Sequence, residues 1–401
     1  MKALKADYIY TPEGIVENGY LLLEDGYISG VSDETPPCDI IDFPGCAAIP
    51  GMIDLHIHGI AGHDTMDGSV LSLQEMSNSL VKYGVTGFLP TTLTHDLESI
   101  QKAVGAVSTA IGQTTGAEIL GSYVEGPYIT PDHKGAHPVD YMRELSIEEM
   151  EGLINASDNT IKVLTIAPEK EHAMEVIDYL MGKGIHVSMG HTNADYETTN
   201  LAVSHGARIA VHTFNGMRGF KHRDPGCVGA VLTNDDCFCE CIADLHHLHP
   251  GAIKLLYKTK GSDKILLISD SMAAADLPDG HYTLGILDVK VKDRIARTVE
   301  TNSLAGSTTN LLDCLKNMKE VLKLPLEGIL PMVSLNQAKL LKIDHEVGSL
   351  EIGKKANIVL IDDKWDVRAT FVGGEMVWGG GRGTVSQPEN SSPKKGFIGP
   401  S

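Results

Sequence analysis

The sequence has no paired cysteine framework and no hydrophobic run long enough to span a membrane. Its seven cysteines are an odd number at scattered positions, which indicates reduced intracellular thiols rather than disulfides. Cys237, Cys239 and Cys241 recur at every second position and are predicted to pack along one face of a buried strand. Met1 to Tyr10 lacks the apolar core of a secretion signal. We therefore expect a cytoplasmic protein with no membrane partner.

Positive charge is also scarce, and this narrows the range of partners. The chain carries 53 Asp and Glu against 33 Lys and Arg, a formal net charge of -20 at pH 7. The electric field of this negative charge repels polyanions, which argues against nucleic acid and anionic membrane surfaces as partners. An anionic substrate would have to be held by local cations, so the expected partner is a small molecule.

Both ends of the chain have β-type patterns. Residues 1–50 predict short strands, of which Tyr20–Leu23 and Tyr27–Val31 flank a tight Asp25-Gly26 turn. The C-terminal part predicts four more strands, Gly348–Ile352, Ile358–Ile361, Thr370–Val372 and Glu375–Trp378. Because the two ends share this pattern, we expect them to combine.

This pattern predicts a small β-sandwich domain formed from residues 1–50 and 343–385. Residues 386–401 are rich in Ser, Pro and Gly and have little apolar area to offset ordering entropy, so they predict a mobile tail. The length of 401 residues leaves room for a second unit of roughly 250 residues, the usual size of a barrel domain.

Residues 51–342 alternate short apolar runs with longer helical patterns, which is typical of βα units around a parallel sheet. Eight runs are found, namely Ile53–Ile57, Gly87–Pro90, Ile119–Glu125, Ile161–Ile166, Ile185–Met189, Arg208–His212, Phe238–Ala243 and Ile265–Ser269. Eight parallel strands with intervening helices predict a closed (β/α)8 TIM barrel. Such barrels place their chemistry at the C-terminal ends of the strands.

Side chains of the metal-binding type stand at the C-terminal ends of five of these strands. His56 and His58 follow the first strand as His-x-His, a spacing that directs both imidazoles to one side of an extended chain. The other four residues each end a later strand and are Glu125, His191, His212 and Asp270. Polar groups gathered there are costly unless they are compensated. Imidazole and carboxylate suit Zn²⁺ and also Fe²⁺, Mn²⁺ or Co²⁺, so the pattern predicts a divalent metal and leaves its identity open.

Two weaker patterns could serve an anionic substrate. Lys221-His222-Arg223 is a compact basic run in an acidic chain, and Arg grips phosphate through two parallel hydrogen bonds. The segment 304–307 precedes a helical pattern from Thr308, so its backbone amides could hydrogen-bond a ligand. The alternative for the basic run is a solvated loop.

The metal-type residues and their flanking motifs resemble the amidohydrolase superfamily, and within it the N-acetylglucosamine-6-phosphate deacetylase family, over nearly the whole chain. The motifs are PGMIDLHIHG from Pro50, EGPYITPDHKGAHP from Glu125, MGHTNA from Met189, HTFNGMRGFKHRDPG from His212, IADLHH from Ile242, SDSM from Ser269 and LAGS from Leu304. The resemblance implies a metal-dependent hydrolase barrel that releases acetate from a phosphorylated amino sugar.

The resemblance also assigns metal ligands. Glu125, His191 and His212 would hold the principal ion, with Glu125 in place of the modified lysine of other amidohydrolases. His56 and His58 would hold a second ion, in a pair that some family members replace with Gln and Asn. One or two divalent ions per subunit are therefore expected, with zinc favoured over iron, manganese or cobalt.

By the same resemblance, Asp270 acts as general base and later acid, and His137 polarises the acetyl oxygen. The implied substrate-binding residues are Ala136, His137, Asn215, Gly216, Arg223, His247, Leu304, Ala305 and Gly306. In the family, the arginine that matches Arg223 reaches the phosphate of the neighbouring subunit, which predicts a homodimer.

Three alternatives stay open at this point. The first is the same reaction on the galactosamine epimer, which differs at one hydroxyl. The second is a ring-opening amidohydrolase such as a dihydroorotase, which the replacement of the bridging lysine by Glu125 disfavours. The third is a barrel that has lost catalysis and serves as a scaffold, although such descendants typically lack the metal ligands retained here.

Overall fold

The computed structural model describes residues 1–379 and 384–386 of the chain. The strands within these residues are β1 Lys2–Thr11, β2 Gly14–Glu24, β3 Tyr27–Ser32, β4 Asp39–Pro50, β5 Met52–Ile57, β6 Gly59–Ile60, β7 His63–Asp64, β8 Val85–Thr92, β9 Glu118–Ile119, β10 Ser122–Val124, β11 Ile161–Ile166, β12 His186–Met189, β13 Ile209–Ala210, β14 Phe238–Cys241, β15 Ile265–Leu267, β16 Gly280–Leu284, β17 Leu287–Lys292, β18 Ile295–Thr298, β19 Ile358–Asp362, β20 Val367–Val372, β21 Glu375–Gly379 and β22 Thr384–Ser386. The α-helices are α1 Val70–Leu80, α2 Leu97–Ala110, α3 Ile147–Ala156, α4 Ala173–Gly182, α5 Tyr196–Ser204, α6 Gly226–Thr233, α7 Pro250–Lys260, α8 Leu311–Leu322 and α9 Leu335–Leu340.

The wall of the barrel consists of parallel strands in the order in which they occur along the chain. The sheet runs β5, β8, β10, β11, β12, β13, β14 and β15, with β9 as an extra short strand beside β8. The predicted (β/α)8 architecture is thereby confirmed. The third predicted run is divided into β9 and β10 at Gly121, whose φ of 141° is one that side chains disfavour. The sixth run is shorter than predicted and covers Ile209–Ala210.

The ring closes just beyond the ends of its first and last strands. The backbone N–H of Asp270 donates to the carbonyl of His56 at 2.9 Å, and the N–H of His58 donates to the carbonyl of Ser271 at 2.9 Å. The seam between β15 and β5 is therefore bridged by residues that the sequence had marked as functional.

The helices outside the barrel follow from capping residues and apolar faces. Asp96 caps α2 by accepting from the N–H of Ser99 at 2.9 Å, and Asn310 caps α8 by accepting from Asp313 at 2.8 Å. The helix predicted from Thr308 is present as α8, which begins at Leu311 and buries Leu315 and Met318. Within the described residues, no helix is both long and apolar enough to cross a bilayer.

The barrel core has an outer and an inner layer. Cys237, Cys239 and Cys241 are fully buried in the cluster where strands meet helices, which confirms their predicted packing role. The neighbouring position Ile242 belongs to a separate cluster built from inward-facing strand residues and closed by α9. Alternation along β14 therefore sends the cysteines outward and the residues between them into the barrel.

Both ends of the chain join in one sheet of order β21, β20, β19, β4, β1, β2 and β3, with β22 paired to β4. The loop before β19 covers the outer edge of β3, since the N–H of Ile28 donates to the carbonyl of Lys354 at 2.9 Å and its carbonyl accepts from the N–H of Gly353 at 2.8 Å. Its core includes Phe43 and Phe371 from the two ends, whose rings meet edge to face at 6.2 Å. The predicted β domain from both termini is thus confirmed as a single folded sheet.

Three differences from the predicted elements remain. Gly348–Ile352 is a turn and not a strand, because Gly348 has a φ of 97° and Ile352 projects into solvent. The antiparallel strands β16 to β18 form an unpredicted insertion between β15 and α8. Ser386 ends β22, and the rest of the predicted tail 386–401 lies outside the described residues.

Candidate active site

The six metal-type residues converge at the C-terminal mouth of the barrel. His56 is the penultimate residue of β5 and His58 follows the strand, while Glu125 comes directly after β10. His191, His212 and Asp270 all have positive φ, at 46°, 26° and 48°. A non-glycine residue pays of order 1 to 3 kcal/mol for such a conformation, which is typical of functional positions that the surroundings hold in place.

Glu125 stands between two groups of histidines. Its Oε2 lies 3.5 Å from Nε2 of His56 and 3.2 Å from Nε2 of His58, and its Oε1 lies 3.2 Å from Nε2 of His191 and 3.0 Å from Nε2 of His212. We call His56, His58 and Glu125 the first triad, and Glu125, His191 and His212 the second triad. In each triad the ligand atoms lie within 4.8 Å of one another. The one carboxylate can therefore bridge two ions.

The arrangement of nitrogen atoms fits divalent ions. Nε2 of His56 is buried without a hydrogen-bond partner and faces the carboxylate of Glu125. Nε2 of His191 and Nε2 of His212 point at each other at 3.1 Å, as two ligands of one ion do. Buried polar atoms left in this state are costly, and a cation between them would satisfy them. Imidazole and carboxylate donors without thiolate suit the metals predicted from the sequence.

The remaining ring nitrogens fix the orientation of the ligands. Nδ1 of His58 contacts the carbonyl of Thr91 at 3.1 Å, and Nδ1 of His191 contacts the carbonyl of His133 at 2.8 Å. Nδ1 of His212 likewise contacts the carbonyl of Asn215 at 3.1 Å. Since a carbonyl oxygen only accepts, each Nδ1 carries the proton and leaves Nε2 to the ion.

Close packing of backbone around His191 also depends on glycine. A Cβ atom on Gly216 would lie 2.9 Å from Nδ1 of His191, and Gly216 has a φ of 60°. Gly135, at a φ of 54°, approaches the same ring from the other side. The two loops can therefore enclose His191 only because they lack side chains at these positions.

Strong coupling between charges shows in the pKa values. Burial would raise the pKa of Glu125, but the surrounding histidines, with His56 and His137 foremost, hold it well below its usual range. Burial lowers the pKa of His58, but hydrogen bonds to Asp270 and Glu125 outweigh this and raise it to about 9. Burial raises the pKa of Asp270, yet His58 and its neighbours bring it down to about 2. The carboxylates are thus ionised at neutral pH.

Asp270 and His137 lie at either side of the triads. Oδ1 of Asp270 is 3.2 Å from Nε2 of His58 and 3.6 Å from Nε2 of His56. Nε2 of His137 is 3.5 Å from Oε2 of Glu125. Burial, together with the charge of His191, lowers the pKa of His137 to about 4, so its ring is neutral at pH 7. One side chain is thus an ionised base and the other a neutral imidazole.

A cavity of about 330 Å³ opens above these residues, within the usual range for a small-molecule site. The predicted residues that line it are His58, Glu125, Ala136, His137, His191, His212, Asn215, Gly216, His247, Asp270, Leu304 and Gly306. His56 lies beneath the cavity floor. The inserted sheet contributes to the cavity through Leu284 of β16 and through Ser303 beyond β18.

Two of the predicted substrate-binding residues, Arg223 and Ala305, do not line the cavity. Arg223 is exposed and does not line the cavity of its own subunit. Ala305 is fully buried, and its N–H donates to the carbonyl of Ala296 at 3.2 Å. The N–H of Ser307 is also used, since it donates to the carbonyl of Asp270 at 2.7 Å. The predicted row of free amides in the segment 304–307 is therefore wrong for these two positions.

The sequence interpretation missed three buried polar residues of the site. Thr94 contacts His137, Glu240 contacts His56, and Asp54 accepts from the backbone N–H groups of His56 and Ser269. Burial raises the pKa of Asp54 to about 6. Glu240 could have been found as the lone acid within the apolar run Phe238–Ala243, and Asp54 as the lone acid within the first strand. Thr94 carries no such signal.

The chain is similar to known proteins over most of its length. The amidohydrolase family pattern matches residues 47–377. The chain is 43% identical over 358 residues to the N-acetylglucosamine-6-phosphate deacetylase of Vibrio furnissii, covering 88% of this chain and 89% of that protein. It is 38% identical over 374 residues to the N-acetylgalactosamine-6-phosphate deacetylase of Escherichia coli O157:H7, covering 93% and 98%. The crystal structure of N-acetylglucosamine-6-phosphate deacetylase from Pasteurella multocida has a TM-score of 0.88 at 31% identity, covering 94% and 99%. The chain therefore belongs to the amidohydrolase family.

Proposed function

We propose that this enzyme hydrolyses the acetamide of N-acetyl-D-glucosamine 6-phosphate and releases acetate and D-glucosamine 6-phosphate. The observation that carries the proposal is the pair of triads sharing Glu125, with Asp270 and His137 beside them on one cavity. The similarity to deacetylases of phosphorylated amino sugars over most of the chain supports the substrate class. The retained ligand set argues against an inactive scaffold, and Glu125 in the bridging position argues against a ring-opening enzyme.

Both reactants must be activated, because an amide is a poor electrophile and water is a poor nucleophile. A divalent ion, when bound, supplies Lewis acidity toward the carbonyl and water. The carboxylate of Asp270 accepts the proton of the attacking water and returns it to the departing amine nitrogen, a role worth about 10² to 10⁴ in rate. Nε2–H of His137 donates to the acetyl oxygen as negative charge develops there, and donors so placed contribute about 10² to 10³.

We assign one ion to the second triad, Glu125, His191 and His212, as the principal site. His56 and His58 complete a second site with the same carboxylate. Zinc is the metal we favour, because four imidazoles and one carboxylate give nitrogen-rich coordination, and Fe²⁺, Mn²⁺ or Co²⁺ are the alternatives. Measured metal content decides among them.

For the sugar phosphate we propose the polar rim of the cavity as the binding surface, namely Ala136, Asn215, Gly216, His247, Leu304 and Gly306. His247 is held by a hydrogen bond from its Nδ1 to Asp244 at 2.7 Å, which leaves Nε2 for the ligand. Ala305 acts only by shaping this segment from beneath.

Arg223 completes the phosphate site from a neighbouring subunit in a homodimer. The support is that Arg223 is exposed and does not line the cavity of its own chain. Phe220, on the same loop, leaves 61% of its surface exposed, an apolar anchor suited to a subunit interface. The seven free thiols and the phosphorylated substrate favour a cytoplasmic enzyme.

The test measures acetate release by the purified protein from N-acetyl-D-glucosamine 6-phosphate and from its galactosamine epimer, together with metal content. We expect turnover that is lost after chelation and is faster on the glucosamine sugar. Faster turnover of the epimer would replace the substrate by its alternative. No acetate from either sugar by metal-loaded protein would overturn the proposed function.

A further inference from the structure

Glu240 lies beneath the two triads, where the proposed reaction leaves it without a role. It sits on β14 between two cysteines that face the outer helices, so its side chain points into the barrel, and only 1% of it is exposed. Its Oε2 lies 3.0 Å from Nδ1 of His56 and 3.1 Å from the backbone N–H of His212. One carboxylate oxygen therefore accepts from one ligand residue of each triad.

The contact with His56 differs from those of the other ligand histidines. His58, His191 and His212 place Nδ1 against backbone carbonyl oxygens, whereas His56 places Nδ1 against a side-chain carboxylate. A carboxylate accepts, so Nδ1 of His56 carries the proton and Nε2 keeps its lone pair. That Nε2 is buried, unpartnered and 3.5 Å from Oε2 of Glu125.

Backbone structure alone does not hold this ring. His56 packs against Tyr123, with ring centres 4.7 Å apart and the ring planes tilted by 49°, but this contact does not decide which ring nitrogen carries the proton. Only the hydrogen bond at Nδ1 distinguishes an imidazole that presents a lone pair at Nε2 from one that presents a proton. A carboxylate at Nδ1 also increases electron density at Nε2 and so strengthens its bond to a cation.

We propose that Glu240 is a positioning residue that enables the first triad to bind its ion, by fixing the tautomer and orientation of His56. The inference rests on the two-metal centre of the proposed function. The second triad depends on Glu240 only through the backbone of His212, whose ring is held separately by Asn215. Loss of the Glu240 carboxylate therefore weakens ion binding by the first triad and not by the second.

The test is the variant Glu240→Gln, which keeps the volume of the side chain. Metal-free protein is titrated with Zn²⁺ and with Mn²⁺ by calorimetry, and bound metal is counted after dialysis. We expect two ions for the unmodified chain, and in the variant an affinity about 10- to 100-fold weaker for one ion with the other unchanged. Asp178→Asn is the matched control, since it alters a carboxylate that contacts His205 at 2.9 Å on the outer surface and should change neither ion.

Three outcomes would contradict the proposal. The selective role of Glu240 would be overturned if Glu240→Gln bound two ions with unchanged affinity, or if its affinity for both ions fell equally. Either result would leave the proposed metal centre intact. A single ion in the unmodified chain would overturn the two-metal centre and with it the role of Glu240.

A spectroscopic measurement on the unmodified protein keeps the inference testable if the variant does not fold. In protein labelled with ¹⁵N-histidine, we expect the His56 resonances to show a protonated Nδ1 and a metal-bound Nε2, assigned by comparison with His56→Gln. A proton on Nε2 of His56 in the metal-loaded protein would overturn the proposal.

Discussion

The hydroxyl of Thr94 lies 2.7 Å from Nδ1 of His137, and both side chains are buried at the edge of the metal centre. A neutral imidazole holds one proton, and His137 must present it at Nε2 to donate to an acetyl oxygen. Nδ1 must then accept, so the Thr94 hydroxyl is the donor in this contact. Thr94 thereby sets the tautomer of the proposed oxyanion donor.

Replacement of Thr94 tests this relationship. We expect Thr94→Val to lower kcat by at least about tenfold, because the proton of His137 is no longer directed to Nε2, with metal content unchanged. Thr94→Ser keeps the hydroxyl and should retain most of the rate. Equal kcat values for the two variants would show that the hydroxyl has no part in the reaction.

Asp270→Asn tests the proposed proton transfer. Because Asp270 is within 3.2 Å of His58 but outside both triads, the variant should keep its metal and lose about 10² to 10⁴ of kcat. Measured acetate release and metal content separate the two effects. Asp236→Asn, at an exposed carboxylate, is the control, and near-normal turnover by Asp270→Asn would remove this residue from the mechanism.

Arg223→Ala tests the phosphate contact. Loss of a charged hydrogen-bonding partner should raise KM by roughly 10- to 100-fold while kcat changes little. Arg208→Ala removes another exposed arginine, paired with Asp236 at 3.8 Å, and should leave KM unchanged. Unaltered KM in Arg223→Ala would refute the assignment.

Subunit mixing tests the source of Arg223. A dimer that combines one Arg223→Ala subunit with one Asp270→Asn subunit contains one site with both native residues, if Arg223 reaches across the interface. At a substrate concentration well below the KM of Arg223→Ala, where both parent variants are slow, random reassembly should then restore about a quarter of native sites. No recovery of activity in the mixture would place Arg223 in its own subunit or outside the site.

Metal binding is expected to depend on pH in a defined direction. In the metal-free protein the pKa of His58 is raised to about 9, so the ring carries a proton at pH 7 that an ion must displace. Metal affinity should therefore increase as pH rises toward about 9 and level off above it, with proton release visible by calorimetry in buffers of different ionisation enthalpy. Constant affinity between about pH 6 and 9 would contradict this coupling.

The sequence predicted the repeating features of the fold and the ligands at strand ends, because periodicity and His-x-His spacing are local signals. It did not predict β16 to β18, although Leu287–Lys292 alternates in polarity with the period of a strand. Insertions of this kind interrupt the alternation of strand and helix patterns from which the barrel was predicted.

The contacts that residues behind the candidate ligands make could not be predicted, because their partners are distant in sequence. Glu240 is 184 positions from His56, and Thr94 is 43 positions from His137. Their proximity is a property of the closed barrel and not of any local pattern. The same holds for Arg223, which does not line the cavity of its own chain.

The seam of the barrel lies beside the first triad. The two backbone hydrogen bonds that join His56 and His58 to Asp270 and Ser271 close the ring, and both histidines belong to the first triad. An ion bound by the first triad would therefore restrain the first strand next to this seam. The metal-free protein should therefore open locally most often at this junction. Proteolysis or hydrogen exchange of the first and eighth strands would then report on metal binding before any substrate is added.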